Sequence, residues 1–198
     1  MRALALMLVF LSAASLDAQE TSHLGLAATG HVSAFEGVGI AQTADAGFEF
    51  GAGIDLGWFG DPRNRLLLDA AFLNSLVRFR SPEGALGRGP FYDLAASLSI
   101  ARLLPRMGRV EPFALIGAGV EAIGSTTNDV SVDVLYNATR MALHAGAGAL
   151  VTVSPDGEDG FQVELRGTAV RHLTRASLRF GYVRFIGARK WRRDLPER

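Results

Sequence analysis

The residues best equipped for chemistry fall into a few groups. His172, Thr174 and Ser177 follow one another, with Arg171 and Arg175 beside them. A histidine next to a hydroxyl, oriented by an acid, is the arrangement used for acyl transfer. No acid has a fixed place in RHLTRAS, so the stretch reads first as a polar loop. Gly117-Ala-Gly119-Val-Glu-Ala122 matches the dinucleotide fingerprint in spacing. No amphipathic helix follows it, and the same G-x-G recurs at Gly37/Gly39, Gly51/Gly53 and Gly146/Gly148. Repetition of that kind points to strand packing. Asp156, Glu158 and Asp159 are too few and too irregular for a calcium loop. His23 and His31 are too scattered to imply a metal, and Asn137-Ala-Thr139 is a weak glycosylation acceptor. The expectation is therefore no catalytic residue, no cofactor and no metal.

The charged set with the most regular placement is Asp55, Asp69, Asp93, Arg140, His144, Glu164, Arg166 and Arg179. The elements that carry them alternate. In Gly47–Phe59, GFEFGAGIDLGWF, one parity is Phe48, Phe50, Ala52, Ile54, Leu56 and Trp58. The other parity holds acids and glycines. A strict period of two is a strand with one apolar face. Phe91–Leu103, Arg140–Val153 and Phe161–Ala169 repeat the pattern. His23–Phe35, Leu66–Arg80, Val110–Gly124 and Ser177–Gly187 are noisier strands. The facing of Val110–Gly124 stays open, because Glu111 and Glu121 share a parity with Phe113 and Leu115.

The connections alternate as well. GDPRNR (Gly60–Arg65), PRMGR (Pro105–Arg109) and SPDGEDG (Ser154–Gly160) are turn-rich and short. Glu36–Ala46, Ser81–Pro90 and Gly124–Asn137 are expected to be longer loops, while Arg171–Ala176 is short. Eight strands with this rhythm predict an all-β, antiparallel up-and-down barrel that crosses a membrane. Both chain ends would then lie in the periplasm.

At the start, Arg2 precedes the apolar run ALALMLVFL and then small residues. That is an export signal, with cleavage expected after Ala14 or Ala18. The expected division is a signal peptide over 1–18, a barrel over 19–187 and a basic C-terminal tail over 188–198. Among 198 residues there is no cysteine, which excludes disulfides, thiolate metal sites and a cysteine nucleophile. The 20 basic residues balance 20 acidic ones, which argues against nucleic acid as a partner.

Glycines on the second face of a strand suit a narrow lumen that must admit large polar side chains from its neighbours. A water-facing strand would only be weakened by them. Acids and arginines that nearly neutralise one another predict a plugged interior with no open pore. Two aromatic girdles are expected at the bilayer interfaces, from Trp58, Phe59, Tyr92, Phe113, Tyr136, Phe161, Tyr182 and Phe185.

With these features in place, the chain resembles the OmpA/OmpX-like outer-membrane β-barrel proteins. The likeness covers essentially the whole mature chain and rests on GFEFGAGIDLGWF, EPFALIGAGVEAIG, MALHAGAGALVTV and FQVELRGTAV. It implies residence in the bacterial outer membrane, insertion by the outer-membrane assembly machinery, contact with outer-membrane lipids and roles in adhesion, envelope integrity or defence. One departure stands out: GARKWRRDLPER follows the last strand signal at Phe185 or Ile186. A monomer of structural or interaction type is expected, binding any surface ligand through Glu36–Asp45, Ser81–Arg88 and Ser125–Asn137. The alternatives are a membrane-embedded lipid acyl hydrolase centred on His172 and a periplasmic lipocalin-like carrier.

Overall fold

The structure is a computed structural model that describes residues 23–185, apart from 60, 81–83, 85, 126–135 and 156–158. Side chains are described from residue 32 onward, except those of 41–50, 52, 54–62, 81–83, 85, 126–135, 156–158 and 185. The expected signal peptide and tail lie outside the described residues.

Period-two patterning becomes eight strands: β1 (His23–Gly37), β2 (Ile40–Phe59), β3 (Asp61–Arg80), β4 (Leu86–Leu103), β5 (Val110–Ser125), β6 (Ala138–Thr152), β7 (Asp159–Val170) and β8 (Leu173–Phe185). Each pairs antiparallel with the next, and β1 pairs with β8, so the sheet closes on itself. Closure leaves no edge strand and satisfies the backbone within the sheet.

One end of the barrel, here called the mouth, carries the connections β1–β2, β3–β4, β5–β6 and β7–β8. The other end, the base, carries the remaining turns and the free ends of β1 and β8. The β1–β2 connection corrects the sequence expectation. Instead of a long loop over Glu36–Ala46, β1 runs to Gly37 and β2 starts at Ile40. Val38 and Gly39 suffice because Gly39 has φ 76°, the left-handed region that a tight hairpin demands. Residues 40–46 therefore belong to a strand, and so do Leu86–Pro90 of the second expected loop. The β7–β8 turn is equally tight, with His172 at φ 71°.

Facing follows the alternation. On β4, Phe91, Asp93, Ser99 and Ala101 point inward, while Tyr92, Leu94, Leu98 and Ile100 point outward. On β7, Glu164, Arg166 and Thr168 point inward, while Phe161, Val163 and Leu165 point outward. The exterior is thus a belt of exposed apolar side chains, among them Leu94 at 59%, Ile116 at 66% and Leu143 at 66% exposure. Buried polar residues include Asp93, Ser99, Glu121, His144, Glu164 and Thr168. This is the reverse of a water-soluble barrel, and it is the distribution that a bilayer demands.

Candidate functional site: a charged lumen between two apolar clusters

The lumen holds the molecule's concentrated polar chemistry, and it is built by register. Ser99 on β4, Gly117 on β5 and His144 on β6 are consecutive cross-strand partners. A Cβ on Gly117 would collide with the His144 ring, so glycine is what lets that ring lie across β5. His144 Nε2 then reaches Ser99 Oγ at 2.8 Å. Buried polar groups are tolerated when paired in this way.

Two ion-pair clusters flank this contact. Arg175 on β8 donates through Nη1 to Asp93 Oδ2 at 2.7 Å and through Nη2 to Glu121 Oε1 at 3.0 Å. Its guanidinium therefore spans the lumen from β8 to β4 and β5. Glu164 accepts from Arg166 Nε at 2.5 Å, from Gln162 Nε2 at 2.9 Å and from Arg179 Nη1 at 3.4 Å. A planar guanidinium suits such bridging, since its fork presents several donors in one plane. Between the clusters lies a cavity of about 40 Å³ bordered by Asp69, Asp93, Glu121, His144, Arg166 and Arg175. That is room for about three waters at most.

Apolar clusters flank the charged zone on both sides. Two positions toward the mouth from Asp93, Glu121, Thr168 and Arg175 stand Phe91, Ile123, Val170 and Leu173, all buried. They join Phe35, Ile40, Leu73, Val77, Phe79 and Tyr136 in one cluster. The Phe35 and Phe91 rings meet edge to face at 5.2 Å. Tyr136 enters from the β5–β6 connection. Its hydroxyl donates to the Val38 carbonyl and lies 3.2 Å from the His172 carbonyl. One side chain thereby ties a long connection to both tight turns. Burial pushes the Tyr136 phenol up to about 12, so the donor keeps its proton. Toward the base, Ala101, Phe113 and Leu115 pack with Leu67 and Leu103.

Of the residues expected inside, the structure places Asp69, Asp93, His144, Glu164, Arg166 and Arg179 around the lumen. Arg140 lies on the inward parity of β6, opposite Glu121. The Asp55 side chain is outside the described ones. Arg175, Glu121 and Ser99 complete the network and were not in the expected set. Their signal was present for β8, where Arg175, Ser177 and Arg179 alternate with Ala176, Leu178 and Phe180. For β5 it was not, because Glu111, Phe113, Leu115 and Glu121 all face inward together.

Two of the expected girdle residues are corrected. Phe113 and Tyr136 face the lumen and are buried, because the base and mouth plugs need bulky apolar groups. Tyr92, Phe161 and Tyr182 are exposed on the outer surface. Phe161 and Tyr182 pair edge to face at 5.8 Å near the base, where Tyr182 donates to Asp159 Oδ1 at 2.5 Å. The side chains of Trp58, Phe59 and Phe185 lie outside the described ones.

Among the described residues the hydrolase arrangement does not come together at His172. His172 and Thr174 are exposed, while Ser177 is buried and bonded to Ser33 at 3.1 Å. Among the described residues no cluster of three or more His, Asp or Glu is placed to hold a metal ion.

No protein-family profile matches the chain, and no curated protein matches it. Solved structures do. Neisserial surface protein A superposes with a TM-score of 0.58 at 10% identity, over 83% of this chain and 99% of its own. The outer-membrane enzyme PagL superposes with a TM-score of 0.51 at 15% identity, over 79% of this chain and 97% of its own. Ail, the attachment invasion locus protein of Yersinia pestis, aligns over 84% of this chain and 100% of its own at 13% identity, with a TM-score of 0.47. The chain has the fold of the OmpA/OmpX-like outer-membrane β-barrels, and its apolar belt is the surface that such a barrel turns to lipid.

Proposed function

We propose that this chain is an integral outer-membrane barrel of structural or interaction type, with a plugged lumen and a mouth available for binding. The observation that carries the reading is the inversion of polarity. Leu94, Ile116, Leu143 and Leu165 are exposed, while Asp93, Glu121 and Glu164 are buried. A periplasmic carrier of lipocalin type would need the opposite arrangement, with an apolar cavity inside.

The lumen is a stabilising plug and not a conduit. Its cations and anions bind one another, and apolar clusters stand at both ends. The rigid barrel then acts as a scaffold, and recognition falls to the connections at the mouth. The β1–β2 hairpin is too short to form a contact loop, so residues 81–85 and 126–137 are the main candidates. On this reading residues 1–18 direct export, assembly machinery inserts the barrel, both ends face the periplasm and residues 188–198 form a basic tail. The protein works as a monomer surrounded by outer-membrane lipid, without a cofactor.

Cell fractionation with surface proteolysis tests the proposal. The protein should require detergent for extraction, migrate differently before and after heating, and be cut from outside within 81–85 or 126–137. Release by salt alone would defeat the membrane reading. A large steady conductance in a planar bilayer would defeat the plugged lumen. Overexpression of the wild type and of His172→Ala should leave lipid acylation unchanged; a His172-dependent change would favour the hydrolase.

A further inference from the structure

Asp93 on β4 and Glu121 on β5 are diagonal neighbours on the inner wall. Asp93 stands opposite Ile123, and Glu121 stands opposite Ala95, two positions along. Diagonal partners on adjacent strands are within reach of long side chains. The two carboxyl groups come within hydrogen-bonding reach of each other. Asp93 is 1% exposed and Glu121 4%. One oxygen of each has a donor, since Arg175 reaches Asp93 Oδ2 and Glu121 Oε1. The other oxygen of each, Asp93 Oδ1 and Glu121 Oε2, is buried and accepts no hydrogen bond.

The other ion-pair cluster of the lumen is arranged differently. Glu164 receives Arg166 and Arg179 on Oε1 and Gln162 on Oε2. Three donors serve one carboxylate there, whereas one guanidinium serves two carboxylates here. Among the described side chains, Asp69 on β3, Arg140 and His144 on β6, Arg166 on β7 and Arg179 on β8 also face the lumen. None of them donates to either free oxygen. Two ionised carboxylates this close repel strongly where the dielectric is low. A buried acceptor without a donor is costly in its own right. A single proton removes both costs.

We propose that Asp93 and Glu121 bind one proton between them, held from Asp93 Oδ1 to Glu121 Oε2, so that the pair meets Arg175 as a single negative charge. One carboxyl donates its O–H and the other accepts, which makes a charge-assisted bond. The outer oxygens keep the Arg175 fork, and the three side chains together are neutral. A metal ion in the same place would need several more oxygen ligands. Among the described residues no third acid or histidine joins the pair to supply them. The proton thus lets one guanidinium satisfy two buried acids with no charge left over.

The test uses the full chain, refolded in micelles at neutral pH, as wild type, Asp93→Asn and Glu121→Gln. Both substitutions keep the side chain's shape and supply an amide donor in place of the proton. Heat-dependent gel migration checks that each has folded. Infrared difference spectra then read the carbonyl stretch of a protonated carboxyl group, which is separate from the carboxylate bands. The wild type should show this band, displaced when refolding is done in heavy water. Each single substitution should abolish it, because the remaining acid then has Arg175 to itself and an amide as its donor. A wild type without the band would overturn the proposal, as a bridging water or two ionised carboxylates would give. Retention of the band in either folded variant would overturn the sharing, because the proton would then need only one of the two acids. Carboxyl-carbon magnetic resonance of the wild type decides the same question without a substitution. At least one of the Asp93 and Glu121 carboxyl carbons should resonate away from the carboxylate position; two carboxylate-like signals would overturn the shared proton.

Discussion

The middle of the lumen and its mouth solve opposite problems with neighbouring residues. Asp93, Glu121 and Arg175 carry charge; Phe91, Ile123 and Leu173, two positions further on, carry none. The middle relies on ionic pairs whose desolvation cost is high. The mouth relies on apolar packing and one polar staple, Tyr136. The two depend on each other. Exclusion of water by the plug strengthens the pairing below it. The charged layer in turn restricts the plug to one register, because sliding a strand by one residue would turn its charges toward lipid.

The middle should be the more fragile region under single substitutions. Arg175→Ala leaves Asp93 and Glu121 buried without the cation they share, with an expected loss of about 3–5 kcal/mol. Unfolding in urea with refolded protein in micelles would measure it. The triple variant Arg175→Met/Asp93→Asn/Glu121→Gln should recover much of that loss; no recovery would mean that the cost is cavity formation and not unpaired charge.

The mouth should respond more mildly. Tyr136→Ala removes a buried ring from the plug, with an expected loss of about 3 kcal/mol. Discrete conductance steps in a planar bilayer should appear in this variant and not in the wild type. If Arg175→Ala conducts and Tyr136→Ala does not, the seal lies in the charged layer.

The exterior offers a third comparison. Leu165→Arg near the middle of the belt should cost about 2–4 kcal/mol in a bilayer. The same change should matter far less in a short-chain detergent that deforms around it. Equal cost in both media would argue against lipid contact at this face.

The smallest effect isolates the staple. Tyr136→Phe keeps the ring and removes the hydroxyl, for about 1 kcal/mol. Burial disfavours the phenolate and pushes the folded phenol up to about 12 from its ordinary 10.0. Stability from this group is therefore complete below pH 10 and is lost as pH rises toward and through 12. The wild type should weaken across that window, and Tyr136→Phe should weaken less. Parallel curves for the two would remove Tyr136 from the plug's energetics.

The sequence by itself determined the strands and, on most of them, which parity meets lipid. Alternation such as that of Arg140–Val153 shows one apolar and one polar face, and the glycines on the polar face suit a narrow lumen. It also showed the charged residues that would have to share that lumen, Asp93, His144, Glu164 and Arg166 among them. Three things depended on tertiary structure. The facing of β5 was undecided because its inward face mixes Glu111 and Glu121 with Phe113 and Leu115. The partners of Arg175 stand 54 and 82 residues away in the chain, and register alone brings them within reach. Tyr136 looked like an interfacial ring and proved to be a plug, because its surroundings are assembled from residues at the mouth ends of the strands. Periodicity is local and survives in a linear string. Which side chain faces which across a closed barrel is set by strand stagger, and no single stretch of sequence contains that information.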